Sequence, residues 1–104
     1  MKIPRQKEEQ LMKFVTTWCT RPEAAKSATE RFLEKGANPP EGIQTIGRWH
    51  YADGSGGIHV FECDNAQAIR DFAQEWGDLL EIHTIPVVED AEAGAAMAKH
   101  SGKS

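Results

Sequence analysis

Apolar positions along this chain recur with two different periods, and the switches between them set the order of elements. From Met12, the run MKFVTTW mixes β-branched and aromatic residues as strands do. Ala25, Ala28, Phe32 and Leu33 then fall at helical spacing. Thr20 and Glu23 form a capping pair ahead of them, with Pro22 in the first turn, and Lys35-Gly36 closes the helix. Asn38-Pro39-Pro40 predicts a stiff loop. Strand-like sequence returns from Ile43 to Ala52, breaks at Asp53-Gly54-Ser55-Gly56-Gly57, and resumes from Ile58 to Cys63, which reads as a hairpin. Asp64 with Gln67 predicts a second N-cap, followed by an apolar stripe of Ala66, Ile69, Phe72, Ala73 and Trp76 that Gly77 ends. Leu79 to Val88 reads as a last strand. A Glu89-Asp90 cap then opens an alanine-rich helix to about Lys99.

Strand, helix, strand, strand, helix, strand is the order of two right-handed βαβ crossovers joined by a hairpin. It predicts an α+β, ferredoxin-like βαββαβ antiparallel sheet in the order 4-1-3-2, with a C-terminal helix and both crossover helices on one face. With residues 53 to 56 as the hairpin loop, Tyr51 opposes Ile58, His50 opposes His59 and Trp49 opposes Val60. One sheet face then carries Gly47, Trp49, Tyr51, Ile58 and Val60, and the other Ile46, His50, His59, Phe61 and Cys63. Neither is polar, although a sheet with one wet side should alternate cleanly. An apolar face of that size predicts a homodimer through the open side of the sheet.

Composition narrows the class further. At 104 residues the chain is expected to form one domain: a flexible extension over residues 1–11, the folded unit over 12–99 and a disordered tail over 100–104. A net charge of -4 argues against nucleic acid as a partner. No apolar run approaches the length of a membrane span, and MKIPRQKEEQL has no apolar core of a signal peptide, so the expected location is the cytoplasm. Cys19 and Cys63 lack metal or redox spacing, lie at opposite ends of neighbouring strands in this topology, and read as free thiols.

MKFVTTW, the Arg21-Pro22 helix start, Gly47-Arg48-Trp49-His50 leading into Asp53-Gly54-Ser55-Gly56-Gly57, Trp76 and Ile85-Pro86-Val87 together resemble a bacterial domain-of-unknown-function family. That family is similar to the dimeric α/β-barrel proteins. The resemblance runs from about Met12 to Ala95 and implies the fold and a dimer, but no catalytic residues. Superfamily relatives include cofactor-free monooxygenases, muconolactone-isomerase-like enzymes, haem-degrading enzymes and stress proteins, among which fold does not choose.

The topology places the chemistry at one end of the sheet. The ends of strands 1 and 2 and the starts of strands 3 and 4 gather Trp18, Cys19, Trp49, His50, Asp53, His59 and Leu80 there. Indoles and imidazoles with few polar handles suit an apolar or aromatic small molecule. The ligand-binding candidates are Trp18, Trp49, His59 and Asp53. His50 is the candidate for proton transfer, should the site be catalytic in the manner of a cofactor-independent monooxygenase or isomerase. No metal site and no cofactor are expected, because His50 and His59 lack a third ligand. The glycines of DGSGG read as turn rather than phosphate cradle, since a strand and not a helix follows them. Ser101-Gly102-Lys103-Ser104 has no strand before it or helix after it, so it is not a phosphate loop. A cavity opening beside His50 would speak for an enzyme, and a fully packed interior for plain binding.

Overall fold

The computed structural model describes residues 11–102. Its elements are β1 (Met12–Thr20), a short 3₁₀ turn (Pro22–Ala24), α1 (Ala25–Lys35), β2 (Ile43–His50), β3 (Gly56–Cys63), α2 (Ala66–Trp76), β4 (Leu80–Val87) and α3 (Asp90–His100). The four strands form one antiparallel sheet in the order β2-β3-β1-β4, the expected ferredoxin-like arrangement. Residues 1–10 of the expected extension, and Lys103 and Ser104 of the expected tail, lie outside the described residues. No described helix is long and apolar enough to cross a membrane.

Alternation divides the sheet into two faces. Phe14, Thr16 and Trp18 of β1 are level with Phe61, His59 and Gly57 of β3. The buried positions of β3 alternate with partly exposed ones, which places these residues on the helix-covered side. Val15 and Thr17 lie level with Val60 and Ile58, and with Ile85 and His83, on the open side. Phe61, Cys63 and Ala68 form the tightly packed core, with Phe14, Ile43 and Ile69 against it. This core sits at the Met12–Cys63 end of the sheet.

Several local expectations shift. The hairpin loop keeps four residues but is Ala52 to Ser55, because the Tyr51 N–H bonds the Gly56 carbonyl at 2.8 Å. His50 therefore opposes Gly57, and Arg48, not His50, opposes His59; Trp49 opposes Ile58. Gly56 and Gly57 belong to the strand for a steric reason. A Cβ on Gly56 would lie 1.9 Å from the Trp18 carbonyl oxygen, and one on Gly57 would lie 2.3 Å from the Trp18 ring. A bulge between Thr45 and Gly47 makes Ile46 the extra residue, 54% exposed, so Thr45 takes the place opposite Phe61 that parity assigns to Ile46.

The caps shift as well. The Thr20–Glu23 box does not form: Thr20 finishes β1, where its N–H bonds the Ser55 carbonyl, and Arg21 precedes the 3₁₀ turn. On α2 the cap is Asn65, not Asp64, with Oδ1 accepting from the Gln67 N–H at 3.0 Å. Gly36 ends α1 at φ 70° as expected. Glu89 and Glu92 make a reciprocal capping box on α3, which runs one residue beyond Lys99.

Candidate functional site

Packing on the helix-covered side is uneven. Beyond the core, toward the end where β1 and β2 finish, the sheet and the two crossover helices separate around a cavity of about 330 Å³. Its floor is sheet: Thr16 and Trp18 from β1, Arg48 and His50 from β2, His59 from β3, and Leu80, Ile82 and Thr84 from β4. Its walls are Ala28, Phe32 and Leu33 of α1 and Ile69, Phe72, Ala73 and Trp76 of α2, the apolar stripes that helical spacing marks in the sequence. The cleft is open to solvent along α1, where Phe32 is 39% and Leu33 78% exposed. Its volume lies at the lower edge of the range for small-molecule sites.

The polar side chains on the floor are individually constrained. His59 is 2% exposed, and its Nε2 pairs with the Thr45 hydroxyl at 2.8 Å. Burial, helped by the charge of Arg48, lowers the His59 pKa to about 4, so the ring is neutral in the physiological range. Phe61 and Phe72 lie beside it, at centroid distances of 4.9 and 6.1 Å. Thr16 and Thr84 satisfy each other at 2.7 Å. Arg48 donates to the Ala37 carbonyl at 2.6 Å and makes no ion pair among the described residues. His50 stands exposed at the rim, edge-on to Trp18 at 5.4 Å and Phe32 at 5.5 Å. The indole N–H of Trp76 is buried without an acceptor among the described residues. Arg31 ties α1 to the end of α2: it grips Asp78 through both terminal nitrogens, donates to the Glu75 carbonyl and lies 5.4 Å from the Trp76 ring centroid.

Among the sequence-marked residues, Trp18, His50, His59 and Leu80 line this one cavity. Trp49, Cys19 and Asp53 do not. Trp49 is 56% exposed and lies on the open sheet face, where its indole covers Gly47. Cys19 alternates to that same face and is free, as is the buried Cys63. Asp53 accepts from the backbone N–H and hydroxyl of Ser55, bonds that hold its carboxyl below the usual range and close the turn. The reading that shared sheet ends suffice to gather a site left out parity: neighbours along a strand point to opposite faces. Parity also marks a further lining residue absent from the sequence candidates. Arg48 lies two positions before His50 and so shares its face.

Comparison with known proteins adds the family and the fold. A family model described as "Domain of unknown function (DUF3303)" matches residues 12–101. No curated protein matches the sequence. Among solved structures, an uncharacterized NIPSNAP-like domain protein from Burkholderia xenovorans is similar, with a TM-score of 0.50 at 12% identity over 76% of this chain and 84% of that one. Rv0793 from Mycobacterium tuberculosis is also similar, with a TM-score of 0.45 at 14% identity over 79% of this chain and 99% of that one.

Proposed function

The chain belongs to the DUF3303 family, a domain of unknown function, so its role has to be read from geometry, and we propose that it is a cytoplasmic small-molecule-binding protein that works as a homodimer. The ligand is an apolar or aromatic molecule held in the helix-side cavity. The observation that carries this reading is the cavity itself: about 330 Å³, walled by Phe32, Phe72 and Trp18 at the end of the sheet away from the packed core. Trp18, His50 and His59 are its sequence-marked binding residues. Trp49 belongs to the dimer face instead, with Ile58, Val60, Val15 and Ile85. Free cysteines accord with a reducing compartment.

One observation favours a second reading, a cofactor-independent enzyme: the cavity opens beside His50. Binding is preferred because the imidazole of His50 packs in T-shaped contact with the rings of Trp18 and Phe32, and among the described residues no carboxylate bonds it as a general base is normally oriented. Calorimetric titration with 2-naphthalenemethanol tests the proposal. The wild-type chain should take up one probe, and Ala73→Leu, which fills the cavity, should abolish uptake while circular dichroism stays unchanged. Absence of uptake by the wild type, or equal uptake by the filled variant, overturns the reading. His50→Gln keeps a polar rim side chain but cannot carry a proton near neutral pH. Probe binding should weaken modestly but persist in it, whereas complete loss would point to the proton-transfer reading.

A further inference from the structure

The charges of this molecule are unevenly placed with respect to the cavity. The chain as a whole is acidic, at -4. Yet among the described residues no carboxylate lines the cavity, and the one permanently charged side chain in its lining is the cation of Arg48. That guanidinium is partly buried on β2 and, among the described residues, donates one side-chain hydrogen bond, to the Ala37 carbonyl. A cation withdrawn from bulk water into apolar surroundings is ordinarily matched by an anion, because desolvation is otherwise uncompensated. None of the ion pairs among the described residues supplies one.

Several other polar groups of the lining are already paired. The hydroxyls of Thr16 and Thr84 are spent on each other, and His59 Nε2 is spent on Thr45. Thr20, Thr29 and His50 also line the cavity with groups that can donate or accept, so among the described lining residues only Arg48 brings a fixed charge. An unmatched guanidinium in a lining without carboxylates selects a ligand that brings an anionic acceptor. From this we infer that the cavity takes an organic anion: a mainly apolar or aromatic body seated between Phe32 and Phe72, with a carboxylate held by the guanidinium of Arg48. The inference rests on the cavity's being a ligand site and adds the chemical class of the ligand. Arg48 becomes its specificity-determining residue.

Three probes with one ring system separate the two claims: 2-naphthoate, 2-naphthalenemethanol and 2-naphthylmethylamine, titrated calorimetrically at pH 7.5. The naphthoate should bind about tenfold to a hundredfold more tightly than the carbinol, the range of a charge-assisted hydrogen bond, and the ammonium should bind most weakly. Arg48→Gln should bring naphthoate down to the affinity of the carbinol and leave carbinol binding in place, which also shows the variant folded. Arg48→Lys should keep a preference for the anion, reduced because an ammonium cannot grip a carboxylate in the forked manner. Equal affinity for all three probes, or naphthoate binding indifferent to Arg48→Gln, overturns the anion inference while the cavity remains a ligand site. Failure of every probe overturns both.

Discussion

His59 and His50 differ by nine positions and by almost everything else that matters to an imidazole. His59 lies in an inner strand under α2, with a hydroxyl on one nitrogen and phenyl rings around it, whereas His50 stands at an edge strand's end in T-shaped contact with Trp18 and Phe32. For His59 the consequence is a dependence of stability on pH. Unfolded, the ring takes a proton near pH 6.5; folded, it does so only near 4. Between those values the unfolded chain binds more protons, so stability is full above about 6.5 and is lost as pH falls toward 4. The loss is on the order of 3 kcal/mol, and His59→Gln should flatten that part of a urea-denaturation series across pH. An unchanged slope in the variant would place the acid sensitivity elsewhere. Glycine supplies the second residue-scale test. Gly57→Ala sets a methyl against the Trp18 ring, and should cost about 1–3 kcal/mol in denaturant titrations and displace that indole from the cavity. Neither the difference between the histidines nor the need for Gly57 was legible in the sequence, because both arise from what the strands pair with.

At the scale of elements, legibility was high for kind and order, and low for register. The order of strands and helices followed from two periods and from Gly36, Gly77 and the DGSGG segment, all local signals. Register is a relation between strands. It turned on whether Gly56 and Gly57 were loop or strand, and that depends on how closely β1 approaches β3 at Trp18. The one-residue bulge at Ile46 was invisible for the same reason. Because a bulge reverses parity, the inward set of β2 changes across it from Arg48 and His50 to Thr45, which is how His59 obtains its hydroxyl partner. The helices carry the complementary lesson. Ile69, Phe72 and Trp76 read as a core stripe, and they do face the sheet, but part of what they face is hollow. Arg31 joins α1 to the end of α2 through Asp78 and the Glu75 carbonyl. Arg31→Gln should lower the melting temperature and weaken probe binding together, since it releases one wall from the other. Binding left unchanged by that variant would show that the walls are held by packing alone.

The whole molecule presents two kinds of apolar surface, one inside and one outside. Outside, Trp49 at 56% and Ile85 at 58% exposure flank the partly buried Val15, Ile58 and Val60 on the open sheet face. Light scattering should accordingly give about twice 11.5 kDa, and Ile85→Glu should return the monomer without unfolding it. A monomeric wild type at micromolar concentration would contradict the dimer. Inside, the cavity is the claim on which the functional account stands, and backbone amide shifts of the ¹⁵N-labelled chain titrated with 2-naphthoate test it residue by residue. Saturable changes are expected at Ala28, Phe32, His59, Ile69, Phe72 and Ala73, with Val15, Val60 and Ile85 on the opposite face unmoved. Changes confined to the open face, or no saturable change at all, would contradict it.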